Sequence, residues 1–291
     1  MIDVPNNFLD LPDEHCDPAT SRYAVLPIPY EATVTYGRGA AQAPAAILEA
    51  SAQVEWYDEE LRAEFVSAGI ATLPPVEPAG APETTSEAVR AAAGEAMAGG
   101  KFLLSLGGEH SVAVPLVRAA AECFGEISVL QLDAHADLRD RYQGTKLSHA
   151  CVMRRVLEIT PNIVQVGIRS FSGEEVDACP EQVGRFVTPR RIAADPDWIA
   201  KTLALLGEQV YVTVDVDAFD PAEAPGVGTP EPGGLRWRDV TALLRSVCAR
   251  RRVVAADIVE VRPIPPSLVT EYLAARLAYK IIAYTQTGQQ H

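Results

Sequence analysis

Short apolar segments alternate along the whole chain with segments rich in alanine, leucine and glutamate, and this alternation constrains the fold most. The apolar segments are rich in β-branched residues and are apolar without interruption, which is typical of strands buried on both faces of a parallel sheet. We predict strands at 22–28, 68–73, 101–106, 127–132, 163–168, 210–216 and 253–259, and helices near 43–53, 84–98, 113–123, 148–158, 197–207, 238–250 and 270–284. The pattern predicts an α/β protein with three α/β/α layers around a mostly parallel central sheet.

No segment reads as a linker between domains. The Pro/Gly-rich stretches at 72–82 and 221–234 are of loop length, and the chain contains no internal repeat. We therefore expect residues 1–291 to form a single domain.

Charge and cysteine usage narrow the functional class. The formal net charge of −14 disfavours binding to nucleic acid or to an anionic membrane. No apolar run approaches the ~18 residues that a membrane-spanning helix needs, and the N-terminus lacks the basic and apolar regions of a signal peptide. The five cysteines are scattered and form no CxxC pair, which argues against a secreted disulfide framework. These features predict a cytoplasmic protein.

Potential metal ligands follow four of the predicted strands. In open parallel sheets, ligands bind beyond the carboxyl ends of the strands, so side chains at these ends are expected to meet. The residues concerned are His110 after 101–106, Asp133, His135 and Asp137 after 127–132, Asp215 and Asp217 after 210–216, and Glu260 after 253–259. Bunched carboxylates repel one another, so this set requires cations.

Each fragment also has a simpler explanation. A single aspartate at a strand end usually caps a helix or closes a turn, and a lone histidine after two glycines is more often structural. The DVDAFD segment resembles a calcium loop, but Phe219 and Pro221 break the required order. The combination favours a metal site. Four aspartates with two histidines suit Mn²⁺ better than Zn²⁺, and six ligands suit two ions that share carboxylates.

The segments GGEHS, QLDAHADLRD, DVDAFDPAEAPGVGTP and DIVEVRP resemble motifs of the ureohydrolase family, the arginase and agmatinase group. The resemblance implies an arginase-like fold, a centre with two Mn²⁺ ions, and a homotrimer or homohexamer. It assigns one ion to His110, Asp133, Asp137 and Asp215, and the other to His135, Asp133, Asp215 and Asp217. Because Asp137 would be one of these ligands, catalysis is expected to depend on it.

Two further roles follow from the resemblance. Glu260 matches the carboxylate that binds the substrate guanidinium, a group with a pKa of about 12.5–13.8 that therefore binds as a cation. His149, in the segment KLSHA, matches a histidine that relays protons. Glu109 is a departure, because the family often has Asp at this position.

The substrate is expected to be a small cationic guanidino compound. The segment LRDRYQGTKLSHA lacks the Ser/Asn-rich pattern that reads an amino-acid head group in arginase-like proteins, so agmatine, hydrolysed to urea and putrescine in polyamine biosynthesis, is the first choice. Guanidinobutyrate, aminopropylagmatine and formiminoglutamate remain alternatives, particularly if Lys146 points inward. Glu174 and Glu175 are candidate receivers of an amine tail, although they also suit a solvated helix start.

The sequence features disfavour two other classes of protein. A fold-related deacetylase would use a single zinc ion, which the additional carboxylates at Asp215, Asp217 and Glu260 argue against. A non-catalytic metal- or guanidine-binding homologue would be expected to lack at least one ligand, and every ligand is present.

Overall fold

The computed structural model describes residues 7–78 and 81–288. Its central sheet has seven strands, and every pair of neighbouring strands is parallel. The strands in chain order are β1 Tyr23–Ile28, β2 Tyr57–Asp58, β3 Ala63–Glu64, β4 Ile70–Thr72, β5 Phe102–Gly107, β6 Ser128–Leu132, β7 Ile163–Val166, β8 Gln209–Asp215 and β9 Arg252–Val259. The sheet order is β4-β1-β5-β9-β8-β6-β7, while β2 and β3 form a separate antiparallel hairpin. All seven predicted strands are confirmed.

Helices cover both faces of this sheet. They are α1 Asp13–Cys16, α2 Ala43–Ser51, α3 Pro82–Ala98, α4 Ala113–Phe124, α5 Val152–Val156, α6 Gly173–Ala178, α7 Pro180–Gly184, α8 Pro189–Ala194, α9 Trp198–Leu205, α10 Trp237–Arg250 and α11 Val269–Gly288. The helix predicted at 148–158 is shorter, because a 3-10 turn at His149–Cys151 precedes α5. Among the described helices, none is both long and apolar enough to cross a bilayer. Residues 1–6, which were part of the signal-peptide argument, lie outside the described residues.

Alternation of side chains along the strands divides the core into two layers. Val25 and Leu104 contribute to one apolar cluster with residues of α2, α10 and α11. Their neighbours Ala24 and Leu103 contribute to the other cluster, with residues of α3, α4 and α5. Because successive strand residues point to opposite faces, an uninterrupted apolar strand is what two helical layers require. The predicted α/β/α architecture is confirmed.

The hairpin β2–β3 is held against α11 by a buried lysine. Lys280 is 1% exposed, and its Nζ lies 2.9 Å from Asp58 Oδ2 and 3.0 Å from Glu59 Oε1. Tyr284 donates a further hydrogen bond to Glu60. Sequence patterns did not predict this hairpin, because each of its strands is only two residues long. The residues that hold it in place, Lys280 and Tyr284, are also distant from it in the chain.

We predict that Lys280→Ala lowers the free energy of unfolding by about 3–5 kcal/mol, because it removes the nearest counter-charge of the buried Asp58 carboxylate and leaves only the more distant Arg276. Urea unfolding followed by circular dichroism measures the change. Lys201→Ala is the matched control, since Lys201 makes an exposed ion pair with Asp195 that contributes little to stability. Equal losses in the two variants would contradict the structural role of Lys280.

Candidate metal centre

Four strands that are adjacent in the sheet, β5, β9, β8 and β6, deliver the predicted ligands to one edge. Asp133 follows β6 directly, Asp215 is the last residue of β8, and Glu260 follows β9 directly. His110 begins a 3-10 turn three residues after Gly107, where β5 ends. The parallel register therefore places the side chains together before any contact between them is considered.

His110 is the centre of a first group of ligands. Its Nδ1 lies 3.1 Å from Asp133 Oδ2, 3.1 Å from Asp137 Oδ2 and 3.5 Å from Asp215 Oδ2. Among the described residues, this buried nitrogen has no hydrogen-bond partner. Neighbouring ligands of an octahedral cation with bonds of ~2.1 Å lie ~3 Å apart, which is the spacing found here. The group fits a divalent cation.

His135 is the centre of a second group. Its Nδ1 lies 2.9 Å from Asp217 Oδ2 and 3.6 Å from Asp133 Oδ1. Asp133 therefore offers one carboxylate oxygen to each group. Asp215 directs Oδ2 towards the first group, whereas its Oδ1 accepts a hydrogen bond from the Asp217 backbone. The sequence-based role of Asp215 as a second bridge stays a prediction.

The electrostatics of these groups favour added positive charge. Burial, and then repulsion from Asp133, raises the pKa of Asp137 to about 7. Burial alone would lower the pKa of His135, yet the Asp217 and Asp133 carboxylates raise it to about 12. Protons thus occupy the cluster at neutral pH when no metal is present. A cation must displace them, so its binding strengthens as the pH rises.

Buried hydroxyl groups form a hydrogen-bond network that reaches Nε2 of His110. Thr213 Oγ1 donates a hydrogen bond to Asp257 Oδ1 at 2.6 Å, so its contact with His110 Nε2 at 2.9 Å must be accepted from the ring N–H. Tyr211 OH donates to the other oxygen of Asp257. The Nε2 proton leaves Nδ1 free as a ligand. Sequence reasoning missed these residues, although 211, 213 and 215 alternate along β8 and so share a face.

Side-chain amides support the shared aspartate. Gln182 donates to Gln165 at 3.0 Å, Gln165 donates to Gln131 at 2.6 Å, and Gln131 Nε2 donates to Asp133 Oδ2 at 2.6 Å. All three glutamines are buried. Sequence reasoning missed this series of glutamine hydrogen bonds, because its members lie on three separate elements, β6, β7 and α7. It orients Asp133 between the two histidines.

Arg169 stabilises the backbone that carries Asp217. Its guanidinium donates to the carbonyl oxygens of Asp217 at 2.8 Å and Glu231 at 2.7 Å, and also contacts those of Ala218 and Phe219. One planar group with five N–H donors therefore joins the loop after β8 to the loop at 231. No sequence signal marked Arg169.

Two of the predicted site residues have left-handed backbone angles. Asp137 has φ of 53° and Glu260 has φ of 64°, values that cost free energy in a residue with a Cβ atom. The Glu260 backbone N–H donates to Gly108 at 2.8 Å, and the Asp137 carbonyl accepts from Arg154. The surrounding loops thus hold both backbones in an unfavourable conformation that directs their carboxylates to the centre.

A cleft of about 180 Å³ opens over the two groups, and Glu260 and His149 both line it. Glu260 Oε1 accepts a hydrogen bond from the His110 backbone at 2.7 Å. Burial raises the pKa of Glu260 to about 8. His149 contacts Thr33 and Thr35 at the cleft wall, and Tyr142 lies edge-on to its ring.

The structure places Glu174, Glu175 and Lys146 outside the residues that line this cleft. Glu175 is buried and caps α6, with Oε2 accepting from Ser172 and Oε1 accepting from Leu138. Glu174 is exposed and lies 3.5 Å from Arg139. Lys146 lies 3.4 Å from Asp140. A substrate-binding role for the two glutamates stays a prediction. Glu175 lies at a helix start, as the alternative expected, but it is buried rather than solvated.

The fold and this site define a three-layer α/β protein with two groups of Asp and His side chains that could each hold a metal ion. The sequence model described as the arginase family matches residues 21–283. The chain is 38% identical over 307 residues to an N(1)-aminopropylagmatine ureohydrolase from Synechocystis, covering 98% of both chains. It is 33% identical over 252 residues to an agmatinase from Bacillus cereus, covering 84% of each.

A solved structure agrees with these relatives. The agmatine ureohydrolase of Thermoplasma volcanium superposes with a TM-score of 0.85 at 34% identity, covering 94% of this chain and 93% of that one. The chain therefore belongs to the arginase family of hydrolases, and the resemblance inferred from its motifs is confirmed.

We predict that Thr213→Val weakens metal binding about 10–100-fold, because His110 loses the acceptor that fixes its ring. Metal content after dialysis against graded chelator concentrations measures this change. Thr202→Val is the control, since Thr202 is equally buried but lies in α9 and donates to Trp198. Unchanged metal affinity in Thr213→Val would show that the hydroxyl does not support His110.

Proposed function

We propose that this protein is a binuclear manganese ureohydrolase that cleaves a linear guanidino amine to urea and an amine. The observation that carries the proposal is the sharing of Asp133 between two His/Asp groups at the floor of a cleft that Glu260 also lines. A single-ion site would not require one carboxylate between two histidines. The proposed ligands are those that the family resemblance assigned, with His110 and His135 on different ions.

Manganese suits the donor set, because four carboxylates and two imidazoles favour a hard or borderline divalent ion over zinc. When bound, two such ions balance the four aspartates and lower the pKa of water enough for it to act as a nucleophile near neutral pH. The buried Nδ1 of His110 is one of the side-chain atoms that lack a hydrogen-bond partner among the described residues, so it is available as a ligand.

Glu260 is proposed to bind the guanidinium. Its carboxylate lies at the cleft floor and uses one oxygen for the His110 backbone, which leaves acceptor capacity for the N–H groups of a planar cation. A guanidinium with a pKa of about 12.5–13.8 arrives charged and favours the ionised form of Glu260. This contact orients the carbon that is attacked.

His149 is proposed to return a proton to the departing amine nitrogen. Burial lowers the pKa of His149, although the Glu109 carboxylate opposes that shift. A largely neutral imidazole can accept a proton from the consumed water and donate it to the leaving group. Its place on the cleft wall, rather than among the ligands, suits that transfer.

For the substrate, we propose N(1)-aminopropylagmatine ahead of agmatine. The Synechocystis relative, named for the former, matches with higher identity and over more of both chains than the Bacillus cereus agmatinase. Agmatine, favoured by the loop sequence, is second. A substrate with a carboxylate tail would be favoured if Lys146 pointed inward, but Lys146 pairs with Asp140 outside the cleft. Arg139 lines the cleft, but its charge is paired with Glu174.

The Mn²⁺-loaded protein is expected to release urea from a panel of agmatine, N(1)-aminopropylagmatine, guanidinobutyrate and arginine, with the highest kcat/KM for N(1)-aminopropylagmatine. A colorimetric urea assay measures each rate, and formiminoglutamate is followed through formamide. No urea from any substrate would refute the enzyme proposal and favour a non-catalytic binding protein. Highest efficiency with guanidinobutyrate would refute the amine-tail assignment alone.

Two substitutions separate metal binding from proton transfer. Asp137→Asn should lose both metal and turnover, because it removes a charged ligand of the first group. His149→Phe should keep its metal while its kcat falls about 10²-fold or more. Elemental analysis and urea release measure the two properties. Asp140→Asn is the control, since Asp140 lies in the same loop but pairs with Arg155. Full metal content in Asp137→Asn would contradict the ligand assignment.

A further inference from the structure

Glu109 lies next to a proposed ligand in sequence but uses its carboxylate elsewhere. The side chain is 1% exposed and accepts four hydrogen bonds. Its Oε2 accepts from the backbone N–H groups of Ala32 and Thr33, the latter at 2.6 Å, and its Oε1 accepts from the hydroxyls of Thr33 at 2.8 Å and Ser111. Two backbone N–H groups and two hydroxyls suit an ionised carboxylate, which only accepts. Glu109 therefore joins the end of β5 to the loop after β1.

Thr33 connects this carboxylate to His149. Its Oγ1 lies 3.1 Å from His149 Nδ1 and also accepts from the His149 backbone N–H at 3.1 Å. A threonine hydroxyl has one proton, and Thr33 donates it to Glu109. The contact with Nδ1 must then be accepted from a ring N–H. Thr35 Oγ1 lies 2.8 Å from Nε2 and 3.4 Å from Tyr142 OH. A tyrosine hydroxyl can donate as well as accept, so Thr35 can accept from Tyr142 and donate its one proton across the shorter contact to Nε2.

We propose that Glu109, acting through Thr33, holds neutral His149 in the Nδ1–H tautomer and thereby makes Nε2 the atom that exchanges protons during hydrolysis. The inference rests on the proposed function for the identity of the reaction. Glu109 and Thr33 are positioning residues: Thr33 contacts His149 directly, and Glu109 contacts Thr33, Ala32 and Ser111. The Glu at this position, where the family commonly has Asp, thus positions His149 through Thr33.

The proton transfers balance. Nε2 takes one proton from the water that is consumed, which gives an imidazolium with N–H on both nitrogens. The Nδ1–H bond to Thr33 persists, and the Glu109 charge behind Thr33 stabilises the cation. When the C–N bond breaks, the Nε2 proton passes to the amine nitrogen, and the ring returns to the same neutral tautomer. The second proton of the water leaves the oxygen as the urea carbonyl forms and converts the released amine to an ammonium group. Thr35 can donate to Nε2 in the neutral state and accept from it in the charged state.

Other groups near His149 pack near its ring or shift its pKa. Tyr142 lies edge-on to the ring with centroids 5.7 Å apart, and Arg139 lies over the Tyr142 ring. The charges of His110 and His135 lower the pKa of His149, whereas Glu109 raises it. Loss of the Thr33 acceptor would therefore lower this pKa further, because the Nδ1–H of the imidazolium would lose its partner.

Thr33→Val is the primary test, with Thr33→Ser as the conservative rescue. Thr33→Val should keep full metal content, lower kcat about tenfold or more with little change in KM, and shift the His149 inflection of the pH–rate profile to lower pH. Thr33→Ser should keep the metal and restore both kcat and the position of the inflection. In a His149→Phe background, Thr33→Val should cause no further loss, because it acts through His149. Glu109→Gln should shift the same inflection in the same direction.

Nitrogen-15 NMR of the diamagnetic Mg²⁺-loaded wild-type protein tests the tautomer directly, with the His149 signals assigned by their loss in His149→Phe. Protonated Nδ1 in neutral His149 supports the proposal, and protonated Nε2 overturns it. Unchanged kcat and pH profile in Thr33→Val, or an equal loss with and without His149, would also overturn it. Because the NMR measurement needs no turnover, failure of the proposed function would be recognised separately, by the absence of urea from every substrate.

Discussion

The repulsion among buried carboxylates is the constraint on which this structure depends. Asp133, Asp137, Asp215 and Asp217 are all buried at one edge of the sheet, and they cannot remain ionised together without compensating positive charge. Protons on the two histidines offer part of that charge, and metal ions would offer more. The arrangement is therefore suited to a cation, and Asp133 is the residue that both groups share.

A rigid scaffold keeps these charges together. Parallel strands place the ligands by register, and the left-handed backbone at Asp137 and Glu260 stores strain that the scaffold must oppose. Behind the ligands, the hydroxyl of Thr213, the guanidinium of Arg169 and the glutamine chain at 131, 165 and 182 fix separate side chains or loops. The supporting residues thus turn a repulsive cluster into an ordered one.

The predictability of the site differed between its inner and outer parts. His110, Asp133, His135 and Asp137 could be predicted because each lies within a few residues of a strand end, where local sequence sets position. Glu175 could not be assigned, since a carboxylate near a helix start can cap that helix or face a ligand with the same sequence. Its hydrogen bonds to Ser172 and Leu138 depend on how α6 meets the loop after β6. Thr33 gave no signal, because His149 lies 116 residues away.

The sequence by itself determined where the seven strands of the central sheet lie along the chain, the apolar character of both sheet faces and the chemical types of the predicted ligands. These properties depend on periodicity and composition, which are local. Only the tertiary structure decided which oxygen of Asp133 meets which histidine, that Lys146 turns to Asp140, and that Glu109 reaches His149 through Thr33. Those outcomes depend on packing between distant segments, where a shift of about 1 Å makes or breaks a hydrogen bond.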